Sequence, residues 1–310
     1  MIRVTIVGAG HYARSIVSRK YAECPRASLH GVISPHAPPE RLLGTPLEGL
    51  PLVRSAAEWR RLHGAPGDRD LFDLCVHPDV VLSALLPLVD EGARRFVLPK
   101  PLATTRAGLD EIVAVVCNAG LQVAVASQWH YSQVTAAVRD AAATLKTPLR
   151  IEMDFSQRFD PVQREKYTPY TALLPHMLQI LHTAGLWRWA ESDVVRREES
   201  QTAVHMEFTS ASEGTALTLH TDIDTAVRRR LVTVSDRTGR RINADCLGVF
   251  RDGIAEKYPA VDIDGHRREI VEDNIAVMVR QEINGFVDGK SYLDCQGYLP
   301  VNEALVGLRG

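Results

Sequence analysis

Six residues near the amino end have the types and spacing to hold a dinucleotide. Gly8-Ala9-Gly10-His11-Tyr12-Ala13 follows a short β-branched run, IRVTIVG, in the order G-x-G-x-x-A. A glycine at position 8 permits the tight turn that leaves the strand. One at position 10 lets a pyrophosphate approach the backbone, and a small residue at 13 lets helix and strand pack closely. The helix that follows offers unpaired N–H groups and the positive end of its dipole. His11 and Tyr12 sit inside the turn and count with it as cofactor-binding candidates.

The second strand candidate, LHGVIS, ends in Ser34-Pro35-His36. An NAD site usually places Asp or Glu there, against the ribose 2′-hydroxyl. Here Ser34 can bond a 2′-phosphate, and His36 and Arg41 can add positive charge. The reading favours NADP, with NAD as the alternative. Further along, Lys100 stands between prolines at the end of the run RFVLPKP. An ammonium at the carboxyl end of such a strand can stabilise developing charge on a substrate oxygen. His77-Pro78 closes the fourth strand, where the nicotinamide ribose is expected. Gln128-Trp129-His130-Tyr131 follows the sixth, beside the expected nicotinamide. Arg158, Tyr167 and Tyr170 precede a helix that carries His176, and suit an oxygen-rich or anionic substrate. His176, whose imidazole titrates near neutrality, suits proton exchange with a substrate oxygen. Tyr131, His130 and Tyr170 are alternative proton donors. No metal site is expected.

The elements that must position these groups fall into two halves. Over residues 1–126, six short apolar strands alternate with helices, beginning with a helix over 12–22. That pattern predicts a doubly wound parallel α/β domain. Over 127–310 the pattern changes. A helix over 170–186 is followed by longer alternating stretches such as AVHMEFTS and RRLVTVSD, which predict an open, mostly antiparallel sheet with one wet face. A late helix spans IVEDNIAVMVRQEINGFVDG, and a short final helix, about 302–309, is expected to pack back on the first domain. The run Arg228-Arg229-Arg230 reads as a solvated or partner-facing patch.

Three segments resemble the glucose–fructose oxidoreductase / inositol dehydrogenase / rhizopine-catabolism (Gfo/Idh/MocA) family: IVGAGHYA, FVLPKPLATT against that family's EKPLA segment, and LLPHMLQIL against its D-x-x-x-H-x-x-D helix. ASQWHYSQV lies where the family opens its second domain, and the likeness extends over about the first 180 residues. The resemblance implies a nicotinamide-dependent oxidoreductase with Lys100 and His176 as catalytic groups and a cis peptide before Pro101. It also implies pairing of copies through the open sheet, as a homodimer or larger assembly. The sequence departs from the pattern at Leu98-Pro99, where the family has Glu before the lysine. It departs again at Ala172 and Gln179, where the family has aspartates. Reduction of a carbonyl or imine on a small polar, sugar-like or specialised metabolite is the leading expectation. The alternatives are a sensor or scaffold that keeps the fold without turnover, and an enzyme that recycles a tightly held cofactor.

Composition agrees with a globular protein of this size. The 310 residues are 45% hydrophobic, and 36 Lys+Arg against 38 Asp+Glu leave a formal charge of -2. Balanced charge argues against a nucleic-acid binder, and no apolar run is long enough for a membrane span. The five cysteines, without a CxxC pair or an export signal, read as reduced, mostly buried thiols in a cytoplasmic protein.

Overall fold

A computed structural model describes residues 1–189, 192–212, 214–251, 254–289 and 292–309. The chain forms two compact units, one of Met1–Gln128 with Ile275–Val306 and one of Trp129–Asn274 with the chain end from Gly307.

The first unit is built on strands β1 (Ile2–Val7), β2 (Ala27–Ile33), β3 (Leu52–Val53), β4 (Asp70–Leu74), β5 (Arg95–Leu98) and β6 (Gln122–Val125). They form one parallel sheet in the order β3-β2-β1-β4-β5-β6. The order reverses at β1, which pairs with both β2 and β4. In such sheets, ligands bind beyond the strand ends at this switch point. The strands are buried on both faces, as the continuous apolar runs require: Val4, Ile6, Leu71, Phe72, Phe96 and Leu98 have no exposed surface.

The predicted first helix divides into a π-helical stretch, Ala13–Val17, and α1 (Ser18–Ala22). Helices α2 (Ala56–His63), α3 (Val81–Asp90) and α4 (Arg106–Asn118) follow. Ser55 and Thr105 cap α2 and α4 by accepting from Glu58 N and Gly108 N, satisfying N–H groups that the helix leaves open.

The second unit opens with α5 (Gln128–Tyr131) and α6 (Gln133–Ala142), then β7 (Leu149–Arg158), α7 (Pro161–Lys166), α8 (Pro169–Ala172) and α9 (Leu174–Thr183). The helix expected over 170–186 is therefore two. Pro175, in the first turn of α9, lacks an N–H and crowds the carbonyl four residues back, so it starts a new helix. Strands β8 (Ser192–Glu199), β9 (Ala203–Ser210), β10 (Ala216–Asp222), β11 (Asp224–Asp236), β12 (Arg241–Asp245), β13 (Val249–Arg251), β14 (Ile254–Lys257), β15 (Ala260–Ile263) and β16 (His266–Glu269) follow.

Eight of these strands make one sheet, β16-β15-β12-β11-β7-β10-β9-β8, in which only β7 and β10 pair in parallel. One face is apolar: Ile151, Met153, Phe155, Val204, Met206, Phe208, Leu217, Leu219, Val232 and Val234 are buried. Helices α6 and α9 pack on this sheet. The opposite face is polar, with Arg150, Glu152, Thr233 and Asn243.

Helix α10 (Asn274–Asp288) and helix α11 (Cys295–Arg309) belong mainly to the first unit. Arg26 forks onto Asp288 with both bonds at 2.6 Å and also reaches Asn284. Helix α11 begins earlier than expected and runs through Pro300. Cys24, Cys246 and Cys295 are buried, Cys75 is half-buried and Cys117 is exposed; all are free thiols.

Candidate active site

The glycine turn begins where β1 ends. Gly8 adopts φ +98, and a Cβ there would lie 2.7 Å from the carbonyl oxygen of Cys75. This chain's own backbone therefore demands glycine at position 8. Gly10 is different. Its φ is outside the left-handed range, and a Cβ there would meet nothing within 4 Å. Protein packing leaves open space over Gly10, which suits a phosphate. Ala13 has no exposed surface, as close helix–strand packing requires, while His11 and Tyr12 are exposed.

The side chain of Arg14, unremarked in the sequence, ties this turn to the end of β2. Its Nε donates to the carbonyl of Ala9 at 3.0 Å and its Nη1 to the carbonyl of Arg41 at 3.0 Å. Arg54, which follows β3, holds the same loop after β2, with Nη1 donating to the carbonyls of Ser34 (3.1 Å) and Ala37 (2.5 Å). Both guanidinium groups are held by neutral carbonyls, and among the described residues neither has a carboxylate partner. Ser34 is buried, whereas His36 and Arg41 are exposed. The loop after β2 thus gathers arginines and a histidine, with an alternative acid absent from its Ser34-Pro35-His36 start. Nothing in the residue pattern marked Arg14 or Arg54; their reach depends on the fold.

Lys100 is half-buried at the end of β5, and the Lys100–Pro101 peptide is cis. The loop behind it is fixed by Asn302 of α11, which is fully buried. Asn302 Oδ1 accepts from the backbone N–H groups of Leu102 (2.8 Å) and Ala103 (3.3 Å), and its Nδ2 donates to the carbonyl of Ala103 at 3.1 Å. The loop after β4 joins it: Thr104 donates to Asp79 at 2.6 Å. Asp79 N donates to His77 Nδ1, and Pro78 starts the short turn. Beneath the glycine turn, burial raises the Asp73 carboxyl to about 6, with Tyr21 and Cys75 beside it. Glu282 of α10, fully buried, is also raised, by burial and then by the charge of Asp73.

In the second unit, Trp129 brings the candidate groups together. Its Nε1 donates to His176 Nδ1 at 2.8 Å. An indole N–H only donates, so the facing ring nitrogen must be unprotonated. The neutral imidazole then carries its hydrogen on Nε2. A carboxylate one turn before the histidine would select the other tautomer, but that position is Ala172. His176 is thus arranged as a neutral donor through Nε2, and proton uptake at Nδ1 would require the indole to give up its bond. Phe155 of β7 packs edge-on to Trp129, with centroids 6.1 Å apart.

The remaining candidates lie around this group or away from it. His130 packs edge-on to Tyr131 at 4.8 Å, and burial, then the charge of His182, lowers the His130 pKa. Tyr167 stacks edge-on to Phe159, and burial raises its pKa. The Tyr170 hydroxyl is engaged by Glu199 (3.1 Å) and Arg197 (2.9 Å), and burial raises it to about 12. That pairing makes Tyr170 a poor proton donor. Arg158 is exposed at the end of β7, and Gln128 is half-buried at the start of α5. Among the described residues no cluster of three or more His, Cys, Asp or Glu is placed to hold a metal, and no helix is long and apolar enough to cross a membrane.

No protein-family model and no curated protein matches the sequence. Solved structures do match over nearly the whole chain. One is the UDP-N-acetylglucosamine 3-dehydrogenase GnnA from Acidithiobacillus ferrooxidans, at 16% identity and TM-score 0.75, covering 99% of this chain and 96% of that one. Another is KijD10 from Actinomadura kijaniata, a 3-ketoreductase described in complex with TDP-benzene and NADP, at 14% identity and TM-score 0.76, with the same coverage. The chain shares the fold of these two solved structures over nearly its whole length.

Proposed function

We propose that this protein is an NADP-dependent oxidoreductase of the Gfo/Idh/MocA family, acting on a carbonyl, or an imine, of a sugar-like metabolite. The observation that carries the reading is the glycine turn: Gly8 is forced by the chain's own backbone, whereas Gly10 leaves room that no protein atom fills. GnnA, described as a UDP-N-acetylglucosamine 3-dehydrogenase, and KijD10, described as a 3-ketoreductase, support the substrate class.

In this reading the first unit binds the dinucleotide and the second binds substrate and carries the assembly surface. Gly8, Gly10, His11, Tyr12 and Ala13 cradle the pyrophosphate. Ser34, His36 and Arg41 take the 2′-phosphate end, with Arg14 and Arg54 supplying further charge. His77, Pro78 and Gln128 flank the nicotinamide ribose. The nicotinamide, when bound, supplies or accepts hydride. Lys100 donates a hydrogen bond to the substrate oxygen and stabilises its developing charge. His176 donates through Nε2 to an oxygen of the substrate, polarising it as a neutral group. Tyr131, beside His130, is the candidate proton donor. Trp129, His130, Arg158 and Tyr167 contact the substrate, and Tyr170 shapes the wall through Glu199 and Arg197.

A second copy pairs through the polar face of the eight-stranded sheet, and the protein works in the cytoplasm, where its free thiols stay reduced. Light scattering that shows only monomer refutes the pairing.

Fluorescence titration of nucleotide-free protein with NADPH and NADH tests the central claim. Tighter binding of NADPH is expected. Binding of neither, in folded protein, returns the chain to the sensor or scaffold reading. Tighter NADH binding overturns the assignment at the end of β2.

A further inference from the structure

Arg228, Arg229 and Arg230 lie on β11, where strand alternation separates them. Arg229 pairs with Asp154 at 3.0 Å. Arg230 is not the solvated residue its sequence context suggests: it is 7% exposed, because it falls in phase with the buried Val232 and Val234. Its guanidinium lies 5.2 Å over the Phe155 ring. Its Nη1 donates to the carbonyls of Ser156 (3.0 Å) and Arg229 (2.6 Å), and its Nη2 donates to Gln157 Oε1. All of these partners are neutral.

Among the described residues no carboxylate is in ion-pair contact with Arg228 or Arg230. Two acids of the same unit are committed elsewhere. Asp154 holds Arg229 and accepts from Ser156, and Glu272 accepts from Ser132 Oγ at 2.6 Å and from Gln133 N at 2.9 Å. Burial, then the charge of Arg228, lowers Arg230 to about 9, while Arg228 itself is exposed. A buried cation with no carboxylate in contact is costly, and the like charge of Arg228 adds to that cost. An arriving oxyanion relieves that cost, and guanidinium groups match it with charge-assisted bonds. The location is telling. Phe155, beneath Arg230, packs on Trp129, which holds His176.

We propose that Arg228 and Arg230 form an oxyanion-binding subsite beside the His176 group, holding a phosphate or carboxylate of the substrate. The inference rests on the oxidoreductase reading and narrows its substrate to an anionic one.

The test uses the full chain saturated with NADPH, so that the glycine turn is filled. It is then titrated calorimetrically with inorganic pyrophosphate and, separately, with malonate. Binding of either is expected to weaken roughly tenfold in Arg230→Gln and severalfold in Arg228→Ala, while NADPH affinity is unchanged. Arg228 is exposed and makes no side-chain hydrogen bond or ion pair among the described residues, so its variant keeps the test valid if Arg230→Gln folds poorly. Preference for pyrophosphate assigns a phosphoryl group, and preference for malonate a carboxylate. Absence of binding, or binding that neither variant weakens, overturns the subsite. If NADPH does not bind, the oxidoreductase reading fails separately, and the same titration of the bare protein still decides the subsite.

Discussion

Gly8 and Gly10 stand two residues apart in one motif, yet the structure assigns them opposite duties, and alanine at each separates the two. At Gly8, alanine must adopt a positive φ, which costs about 1–2 kcal/mol. Its Cβ would also press to 2.7 Å on the Cys75 carbonyl, a backbone atom that no rotamer change can move. Overpacking of that kind adds about 1–3 kcal/mol. The expected destabilisation of Gly8→Ala is about 2–5 kcal/mol, which lowers Tm by roughly 4–10 °C.

At Gly10, alanine meets no protein atom within 4 Å and no left-handed φ. Gly10→Ala should melt with the wild type, or slightly higher, because the unfolded chain loses freedom. Its methyl group, however, occupies the space proposed for a phosphate. NADPH affinity should fall at least tenfold, about 1.4 kcal/mol. Differential scanning fluorimetry and NADPH fluorescence titration read both effects. Wild-type affinity in Gly10→Ala refutes phosphate approach at this turn, and an unchanged Tm in Gly8→Ala refutes the packing argument.

Other expectations follow from the same geometry. Lys100→Ala should lose turnover by at least tenfold while NADPH affinity stays nearly intact; equal loss of both would make Lys100 a cofactor contact only. In 15N NMR spectra, His176 should be the Nε2–H tautomer at neutral pH, and Trp129→Phe should release that preference and lower kcat/KM roughly tenfold, one hydrogen bond's worth. A Nδ1–H signal in the wild type would refute the assignment. Asp73 gives a pH test of stability. Its folded carboxyl is raised by burial from 3.8 to about 6, so between these values the folded state keeps a proton that the unfolded chain has lost. Stability therefore falls as pH rises through that window, by about 3 kcal/mol. The Tm of Asp73→Asn relative to wild type should rise between pH 4 and pH 7, and a pH-independent difference would refute the burial argument.

The fold was legible because period and punctuation agree along the chain. Buried parallel strands read as unbroken apolar runs, and the open sheet reads as alternation. Breaks occurred where a local rule met a tertiary demand. The 170–186 helix splits because Pro175 outweighs an apolar period that continues across it. Helix α11 runs through Pro300 against the local preference, and so delivers Asn302 to the lysine loop. The glycine turn and Lys100 could be found from order and spacing. Arg14, Arg54 and Asn302 could not, since each acts on backbone carbonyls or amides distant in sequence and carries no spacing signature. Three consecutive arginines read as a solvated or partner-facing patch until strand phase sets Arg230 apart.

The histidine shows how a missing residue can be informative once its replacement is seen. Ala172 and Gln179 leave His176 without the carboxylates of the motif it resembles, which by sequence alone suggests a broken site. In the structure, Gln179 is buried and donates to Thr183 at 2.6 Å, whereas Trp129 takes over the orientation of the ring. A carboxylate would accept from Nδ1–H and favour a base at Nε2; the indole donates to Nδ1 and favours a donor at Nε2. The substitution thus reverses the polarity of the group without removing it. A neutral donor can hydrogen-bond to an oxygen on which charge develops, which is compatible with the proposed carbonyl reduction. It also leaves proton delivery to another group, and Lys100 and Tyr131 are the candidates. Arg228 and Arg230, with no carboxylate in contact among the described residues, fit the same logic, because a site without carboxylates around its histidine can take an anionic substrate without repelling it.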